Sequence, residues 1–267
     1  MLNDDQIRSE ARLLDRAERD RVQVRQTTSV YPAMTIEDAY RVQSAWQALR
    51  EARGERLVGH KIGLTSRAMQ AAMNITTPDS GFLTDRMVFE PGNDLAAADF
   101  LDLKVEVELA FVLAHDIGGP DLTVDDILDA TDHVVPAIEL IAARTFRVDP
   151  DTGRTRTVVD TIADNAADAG IVTGGRRIGP RDVDLRWVGA LLYRNGTIEE
   201  TGVAAGVLDH PANGIGWLAR RYHEHGLSLQ AGQIVLAGSF TRPVEVSPGD
   251  EFTADYGDLG RFTIPFV

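Results

Sequence analysis

The first part of the chain alternates between helical and short extended patterns. Apolar side chains at helical spacing within residues 4–20 predict an amphipathic helix. The run TIED at residues 35–38 has the form of a capping box and predicts that a second helix begins there. Further on, RLVGHKIGLTS at residues 56–66 predicts a strand followed by a bend, and residues 66–73 predict a short helix.

Strand patterns dominate the second part of the chain. Successive residues of a strand point to opposite faces of its sheet. In KVEVELA at residues 104–110, Val105 and Val107 then share one face, and Glu106 and Glu108 share the other. Two neighbouring carboxylates on one face repel each other, so this placement requires either solvent or a cation.

A third acidic residue lies in apolar surroundings. Glu139 interrupts the apolar run HVVPAIELI, where an unpaired ionised side chain is costly. Together with Glu106 and Glu108, it predicts a site for a divalent cation that prefers oxygen ligands. The simpler alternative is an acidic, β-rich protein whose glutamates face water, and the position of Glu139 is the main argument against it.

Lys61 and Asp79 are candidates for proton transfer. Lys61 is flanked by Val58, Ile62 and Leu64, so we expect partial burial, which would lower its pKa toward the range that suits proton transfer. A surface lysine is the alternative. Asp79 lies in the loop NITTPDSGFL, where it either caps a turn or faces a site.

A hairpin pattern contributes to the choice of fold class. Two extended runs, WVGALLYR and TIEETG, are separated by Asn195-Gly196, a preferred two-residue turn. With the helices that precede it, this favours an α+β fold in which a helical and mixed part, residues 1–100, packs on a β-rich part, residues 101–267. One continuous domain is equally compatible with the pattern.

Charge and composition exclude several classes of function. The 267 residues carry 41 acidic and 27 basic side chains, and the net charge of −14 argues against a nucleic-acid partner. The sequence contains no cysteine, which excludes disulfides, thiolate nucleophiles and Cys-ligated zinc. No apolar run is long enough to span a bilayer and the polar start lacks a signal-peptide pattern, so we expect a cytoplasmic protein without a membrane partner.

The most basic stretch is ARTFRVDPDTGRTRT at residues 143–157. Its arginines are Arg144, Arg147, Arg154 and Arg156. The stretch is either a solvated loop or a cover over the acidic site that meets an anionic substrate, since arginine binds carboxylates through two parallel hydrogen bonds.

Seven segments resemble a known family, in order and over essentially the whole chain. They are GHKIGLTS, TTPDSGFL, KVEVELAFVL, VVPAIELI, DTIADNAADAG, GVLDHPANGIGWLA and GSFTRPV. They resemble the bacterial 2-oxo-acid hydratases of the fumarylacetoacetate hydrolase superfamily. The resemblance implies the superfamily's mixed β-sandwich or roll, a hydro-lyase that uses Mg²⁺ or Mn²⁺ in the breakdown of aromatic compounds, and a large homo-oligomer, typically a decamer.

Carried over residue by residue, the resemblance makes Glu106, Glu108 and Glu139 the metal ligands. It places Lys61 and Asp79 beside the substrate as proton-transfer residues. The arginine-rich stretch and GSFTRPV resemble the branch of the family that acts on a 2-oxo dicarboxylate. The pocket residues implied are Leu64, Asn165, Ser239 and Thr241. For the distal carboxylate we expect a cation from the region between Arg144 and Arg156, with Arg144 as the candidate.

Several related functions use nearly the same metal site. A decarboxylase of 2-oxo diacids is the main alternative, because its family resembles the hydratases along most of the chain. A hydratase of the shorter 2-hydroxypenta-2,4-dienoate and an acylpyruvate hydrolase are further alternatives. A non-catalytic partner subunit is a different class of function, and the retention of the three glutamates with Lys61 and Asp79 argues against it.

Overall fold

The computed structural model describes residues 1–66, 70 and 77–267. Its helices in that part of the chain are α1 (Asp4–Asp20), α2 (Thr27–Val30), α3 (Ile36–Ala52), α4 (Val124–Asp129), α5 (Val158–Ala163) and α6 (Ala212–Glu224). The short helix predicted over residues 66–73 lies mostly outside the described residues.

Side-chain caps fix where the two long N-terminal helices begin. Asn3 precedes α1 and accepts a hydrogen bond from the backbone N–H of Gln6 at 2.9 Å. Thr35 precedes α3 and accepts one from the backbone N–H of Asp38 at 3.2 Å, as the capping-box pattern predicted. Both helices predicted from the sequence are therefore confirmed.

The described strands form two sheets. They are β1 (Leu57–Gly63), β2 (Asp79–Thr84), β3 (Val88–Phe89), β4 (Lys104–Leu113), β5 (Thr131–Ile141), β6 (Asp168–Thr173), β7 (Gly189–Arg194), β8 (Thr197–Val203), β9 (Ile234–Leu236), β10 (Val244–Glu245), β11 (Glu251–Asp255) and β12 (Arg261–Pro265). The larger sheet has the order β2-β1-β9-β4-β5-β6-β3, with β10 also pairing with β4, and the smaller has the order β12-β11-β7-β8. The predicted α+β class is confirmed.

Two apolar cores lie on opposite faces of the central strands. Val107 and Ile138 of β4 and β5 belong to the core that also contains Phe252 of the smaller sheet. Ala110 of β4 belongs to the core that contains Trp46 of α3. The alternation along β4 therefore directs Glu106 and Glu108 toward the face on which the N-terminal helices pack.

The first hundred residues contribute strands to the larger sheet. β1 pairs in parallel with β9, and β3 pairs in parallel with β6. The domain boundary near residue 100 stays a prediction, and the shared sheet favours the alternative of one continuous domain. Among the described residues, no helix combines the length and the apolar character that crossing a membrane requires.

Candidate active site

Three carboxylates converge where β4 pairs with β5. Glu106 lies directly opposite Glu139 in the antiparallel register, and Glu108 lies two residues further along β4. Each of the three offers an oxygen atom, and these oxygens all lie within 4.8 Å of one another. Glu108 and Glu139 are buried, and Glu106 is partly exposed. The structure thus brings together the three residues that the sequence predicted as a cluster.

The electrostatics of this cluster fit a cation. Burial and the charge of Glu139 raise the pKa of Glu106 to about 8, and the same two causes raise the pKa of Glu108 well above its usual range. Within the described part of the chain, Oε1 of Glu108 and Oε1 of Glu139 have no hydrogen-bond partner. Buried oxygens without partners are costly. A hard divalent cation such as Mg²⁺ or Mn²⁺ fits this all-oxygen donor set.

Backbone groups hold the glutamates in place. The backbone N–H of Gly238 donates to Oε2 of Glu108 at 2.9 Å. The hydroxyl of Tyr256 accepts from the backbone N–H of Glu108 at 3.1 Å and lies 2.6 Å from the carbonyl oxygen of Ala137. Gly238 has a φ of +116°, and a Cβ there would lie 2.1 Å from Oγ1 of Thr65. The sequence analysis singled out the segment GSFTRPV, which begins at Gly238, but assigned no role to this glycine, and it missed Tyr256, which carries no local pattern.

Lys61 and Asp79 meet at the end of the β1–β2 pair. Nζ of Lys61 lies 3.1 Å from Oε1 of Glu139, and both side chains are buried. A Cβ built on Gly63 would lie 2.2 Å from Oδ1 of Asp79 and 3.1 Å from Nζ of Lys61. Gly63 therefore leaves the space in which the acidic and basic groups come together.

The field of the cluster reverses the pKa shift expected for Lys61. Burial alone disfavours the ammonium, but Glu139 and Asp79 outweigh it, and the pKa of Lys61 is raised. The prediction of burial is confirmed, and the prediction of a lowered pKa is wrong for this set of neighbours. Burial also raises the pKa of Asp79, against the opposing effect of Lys61. Among the described residues, Oδ1 of Asp79 has no hydrogen-bond partner.

Asp168 is a further acidic residue of the site. It begins β6 and is buried, and its Oδ1 accepts from the backbone N–H of Gly170 at 3.0 Å. Burial and the charge of Glu139 raise its pKa well above the usual range. The sequence analysis did not name Asp168. The signal that could have found it is an acidic residue within the small, apolar run AADAG, a placement similar to that of Glu139.

Ser239 and Thr241 bond to the backbone of the glutamate strand. The Ser239 hydroxyl donates to the carbonyl oxygen of Val107 at 3.2 Å, and the backbone N–H of Val107 donates to Oγ1 of Thr241 at 3.2 Å. Val107 lies between Glu106 and Glu108, so these hydroxyls support the two ligand positions. Their contact with substrate stays a prediction.

Asn165 and Leu64 flank the strands that carry the proton-transfer residues. The Asn165 amide donates to the carbonyl oxygen of Phe82 at 3.0 Å and accepts from its backbone N–H at 2.8 Å. Its described bonds therefore support β2, and a role in substrate binding stays a prediction. Leu64 follows β1 with a φ of +56°, and its role as a pocket wall also stays a prediction.

Arg144 does not have the surroundings expected for a substrate-binding residue. Its side chain is 1% exposed, and its Nε donates to Oδ1 of Asp164 at 2.6 Å. Nη1 and Nη2 donate to the carbonyl oxygens of Asp168 and Asp164 at 3.0 and 2.7 Å. The guanidinium lies 4.9 Å from the ring centre of Trp46. Because all three nitrogens bond to the protein itself, the structure argues against the predicted contact with a distal carboxylate.

The family follows from a match over most of the chain. The family model described as fumarylacetoacetate (FAA) hydrolase C-terminal matches residues 54–267, which include every candidate site residue. The chain belongs to the fumarylacetoacetate hydrolase family. The resemblance inferred from the sequence is therefore confirmed.

Individual members of this family match the chain over almost its full length. The 2-oxo-hept-4-ene-1,7-dioate hydratase of Escherichia coli is 55% identical over 257 residues, covering 96% of each chain. The 4-oxalocrotonate decarboxylase of Pseudomonas putida is 35% identical over 268 residues, covering 100% of this chain and 98% of its own. The structure of 4-oxalocrotonate decarboxylase from Pseudomonas putida G7 complexed with magnesium and adipate superposes with a TM-score of 0.94 at 33% identity, covering 100% of this chain and 99% of that one.

Proposed function

We propose that this chain is a metal-dependent hydro-lyase that adds water to 2-oxohept-4-ene-1,7-dioate and forms 4-hydroxy-2-oxoheptanedioate. The proposal places it in the breakdown of homoprotocatechuate, an aromatic compound. One observation carries it: the glutamate cluster lies beside Lys61 and Asp79 in a chain 55% identical to a hydratase named for this substrate.

The cation is assigned to Glu106, Glu108 and Glu139. Their oxygens converge, and Oε1 of Glu108 is buried without a hydrogen-bond partner among the described residues, which supports Mg²⁺ or Mn²⁺ as the bound ion. When bound, such an ion acts as a Lewis acid and stabilises negative charge that develops on the 2-oxo group. The magnesium in the related decarboxylase structure is consistent with this assignment.

Lys61 and Asp79 are assigned to the proton transfers. In the proposed sequence a proton leaves C3 and returns at C5, which moves the double bond into conjugation with the 2-oxo group. The oxygen of water then bonds to C4, and a proton returns to C3. Asp79 offers a buried Oδ1 that has no hydrogen-bond partner among the described residues. The negative charges of Glu139 and Asp79 stabilise the ammonium form of Lys61. General acid–base groups of this kind contribute roughly 10²–10⁴-fold to a rate.

Decarboxylation of a 2-oxo diacid is the second candidate. The observation that favours it is the likeness to 4-oxalocrotonate decarboxylases, 35% identical over the whole of this chain. Both reactions would use a 2-oxo acid held beside the same carboxylates. The higher identity to the hydratase, 55% against 35%, is the reason for preferring hydration.

The proposal also includes assembly as a large homo-oligomer, a decamer by resemblance to the family, working in the cytoplasm. The net charge of −14 argues against nucleic acid as a partner.

The test is an assay of metal-stripped protein on freshly generated 2-oxohept-4-ene-1,7-dioate, with and without added Mg²⁺. Products are identified by mass, and 2-hydroxypenta-2,4-dienoate is the comparison substrate. We expect a water adduct of the diacid that forms only with metal. The Glu108→Gln variant should lose metal binding and at least 100-fold in turnover while keeping its fold, since removing one carboxylate weakens a site of three.

Other outcomes of this assay distinguish the alternatives. Release of carbon dioxide would identify the decarboxylase. Hydration of the pentadienoate in preference to the diacid would identify the hydratase of the shorter substrate. Wild-type turnover by Glu108→Gln without extra metal would contradict the assignment of the ligands.

A further inference from the structure

One buried cation near the site has an unused hydrogen-bond donor. The side chain of Arg156 is 9% exposed, and its Nη1 lies 3.7 Å from Oδ2 of Asp164. Within the described residues, this Nη1 is buried and has no hydrogen-bond partner. A buried guanidinium donor that bonds to no protein group is costly, so this Nη1 is available to a bound polar group.

Asp164 compensates the charge of Arg156 but does not satisfy its hydrogen bonds. Oδ1 of Asp164 accepts from Nε of Arg144 at 2.6 Å. Oδ2 accepts from the backbone N–H of Thr145 at 3.0 Å and lies 3.3 Å from the Thr145 hydroxyl. The carboxylate is therefore already bonded on both oxygens, which leaves Nη1 of Arg156 at ion-pair distance only.

Arg156 is connected to the strand that carries Asp79. It pairs with Asp164 at 3.7 Å, and the next residue, Asn165, donates to the carbonyl oxygen of Phe82 in β2, the strand that begins with Asp79. Burial is the main cause that raises the pKa of Asp79, and the charge of Arg156 is among the causes that lower it. Burial, followed by the charge of Arg147, lowers the pKa of Arg156 itself to about 10, and Arg144 acts in the same direction. Arg144 and Arg147 therefore lie close enough to Arg156 for their positive charges to act on it.

The other two arginines of this group are already bonded. Arg144 uses all three of its nitrogens on Asp164 and Asp168. Nε of Arg147 donates to the carboxylate of Asp102, and its Nη2 lies 3.3 Å from the Asp102 carbonyl oxygen. Among these three, only Arg156 combines burial with a donor that the described residues leave unsatisfied.

We propose that Arg156 is the specificity residue that binds the carboxylate at the far end of a 2-oxo dicarboxylate, while the glutamate cluster lies at the 2-oxo end. The proposal rests on the proposed function and deepens it by assigning the second carboxylate. A planar guanidinium with a free donor recognises a carboxylate through directed, charge-assisted bonds. A substrate that lacks the distal carboxylate leaves that donor buried and unpaired, and is disfavoured for this reason.

The experiment compares wild type with Arg156→Gln and Arg156→Lys on 2-oxohept-4-ene-1,7-dioate and 2-hydroxypenta-2,4-dienoate. For Arg156→Gln we expect the ratio of kcat/KM for diacid over monoacid to fall by roughly 10- to 100-fold, mainly through a higher KM for the diacid. Arg156→Lys should retain part of the preference for the diacid, because lysine keeps the positive charge but lacks the planar guanidinium that can donate two parallel hydrogen bonds. The matched control is Arg154→Gln, since Arg154 bonds to Thr28 and is exposed.

Binding of unreactive analogues separates this inference from the proposed function. The probes are 2-oxoheptanedioate and 2-oxopentanoate, which have no double bond to hydrate, and their affinities are measured by calorimetry with Mg²⁺ present. We expect wild type and Arg154→Gln to prefer the diacid, and Arg156→Gln to lose that preference at an unchanged melting temperature.

Each outcome decides one of the two proposals. A protein that prefers the diacid analogue through Arg156 but hydrates neither substrate would contradict the hydratase and leave the inference standing. Wild type without a preference for the diacid analogue would overturn the inference, and so would an Arg156→Gln variant that keeps the preference. Equal loss of affinity for both analogues would also overturn it, because it would reveal a structural role.

Discussion

His60 lies one residue before Lys61 on β1, and its surroundings differ completely from those of its neighbour. Its ring is buried against Tyr222 of α6, whose hydroxyl lies 3.0 Å from Nδ1. The two rings meet edge to face, with centroids 5.0 Å apart. Burial lowers the pKa of His60 from 6.5 to about 4, against the opposing effects of hydrogen bonds with Gln233 and the backbone of Gly81.

This shift makes the stability of the protein depend on pH. Between about pH 6.5 and 4 the unfolded chain binds one more proton at His60 than the folded chain does. The free energy of unfolding should therefore fall as the pH is lowered through this range, by up to about 1.4 kcal/mol per unit and ~3 kcal/mol in all. Urea unfolding of wild type and His60→Gln at several pH values checks this. The contributions of the other titrating groups cancel when the two free energies of unfolding are subtracted at each pH. The exposed His115→Gln is the control, and a constant difference between wild type and His60→Gln would contradict the shift.

Which residues the sequence could predict depends on how local their signal is. Glu106, Glu108 and Glu139 stand out because a carboxylate in an apolar strand is anomalous within a few residues of sequence. Lys61 was predicted to be buried, but the direction of its pKa shift depends on Glu139, which lies on another strand. Tyr256 was missed because only the folded chain brings its hydroxyl to the glutamate strand.

At the scale of elements, the β1–β2 pair fixes the geometry of the acid–base residues. The antiparallel register places Gly63 opposite Asp79, and a Cβ on Gly63 would lie 2.2 Å from Oδ1 of Asp79. Any side chain at position 63 would therefore displace the Asp79 carboxylate from its place beside Lys61.

Gly63→Ala should accordingly displace the Asp79 carboxylate and lower kcat/KM by at least about 100-fold, the size expected for a misplaced proton-transfer group. The effect should be on activity more than on folding, as measured by turnover and thermal unfolding of the same sample. The control is Gly196→Ala in the β7–β8 turn, where φ is +80° and nothing lies within 4 Å of the new Cβ. It should cost about 1 kcal/mol of stability and leave turnover unchanged. Full activity in Gly63→Ala would contradict the proposed role of Asp79.

Elements were predictable where their signals are local, and their arrangement was not. Apolar side chains at helical spacing predicted α1, a capping box predicted the start of α3, and a period of two residues predicted β4. Each of these signals lies within a short stretch of sequence. The insertion of β9 between β1 and β4 joins residues more than a hundred positions apart, and no pattern within β9 specifies it. The same holds for the parallel β1–β9 pair, which places Lys61 in the same sheet as the glutamates.

At the scale of the whole molecule, Arg144 connects the N-terminal helices to the site. Its guanidinium lies over Trp46 of α3, and its Nη1 lies 3.6 Å from Oε2 of Glu18 in α1. Its other bonds go to Asp164, which precedes β6, and to the carbonyl oxygen of Asp168. A long, buried cation of this kind holds layers of the fold together, and the sequence could not distinguish it from a substrate-binding arginine in the same stretch.

Replacing this cation should therefore destabilise the whole fold. Arg144→Met leaves the Asp164 carboxylate buried without its main partner, and we expect a loss of about 3–5 kcal/mol in the free energy of unfolding. Because Trp46 packs on Arg144, its fluorescence and the circular dichroism of the sheets should report the same shifted transition. Arg147→Met, which breaks a partly exposed pair with Asp102, should cost less than about 1 kcal/mol. If Arg144→Met is as stable as wild type but loses its preference for diacids, the distal carboxylate belongs to Arg144 and not to Arg156.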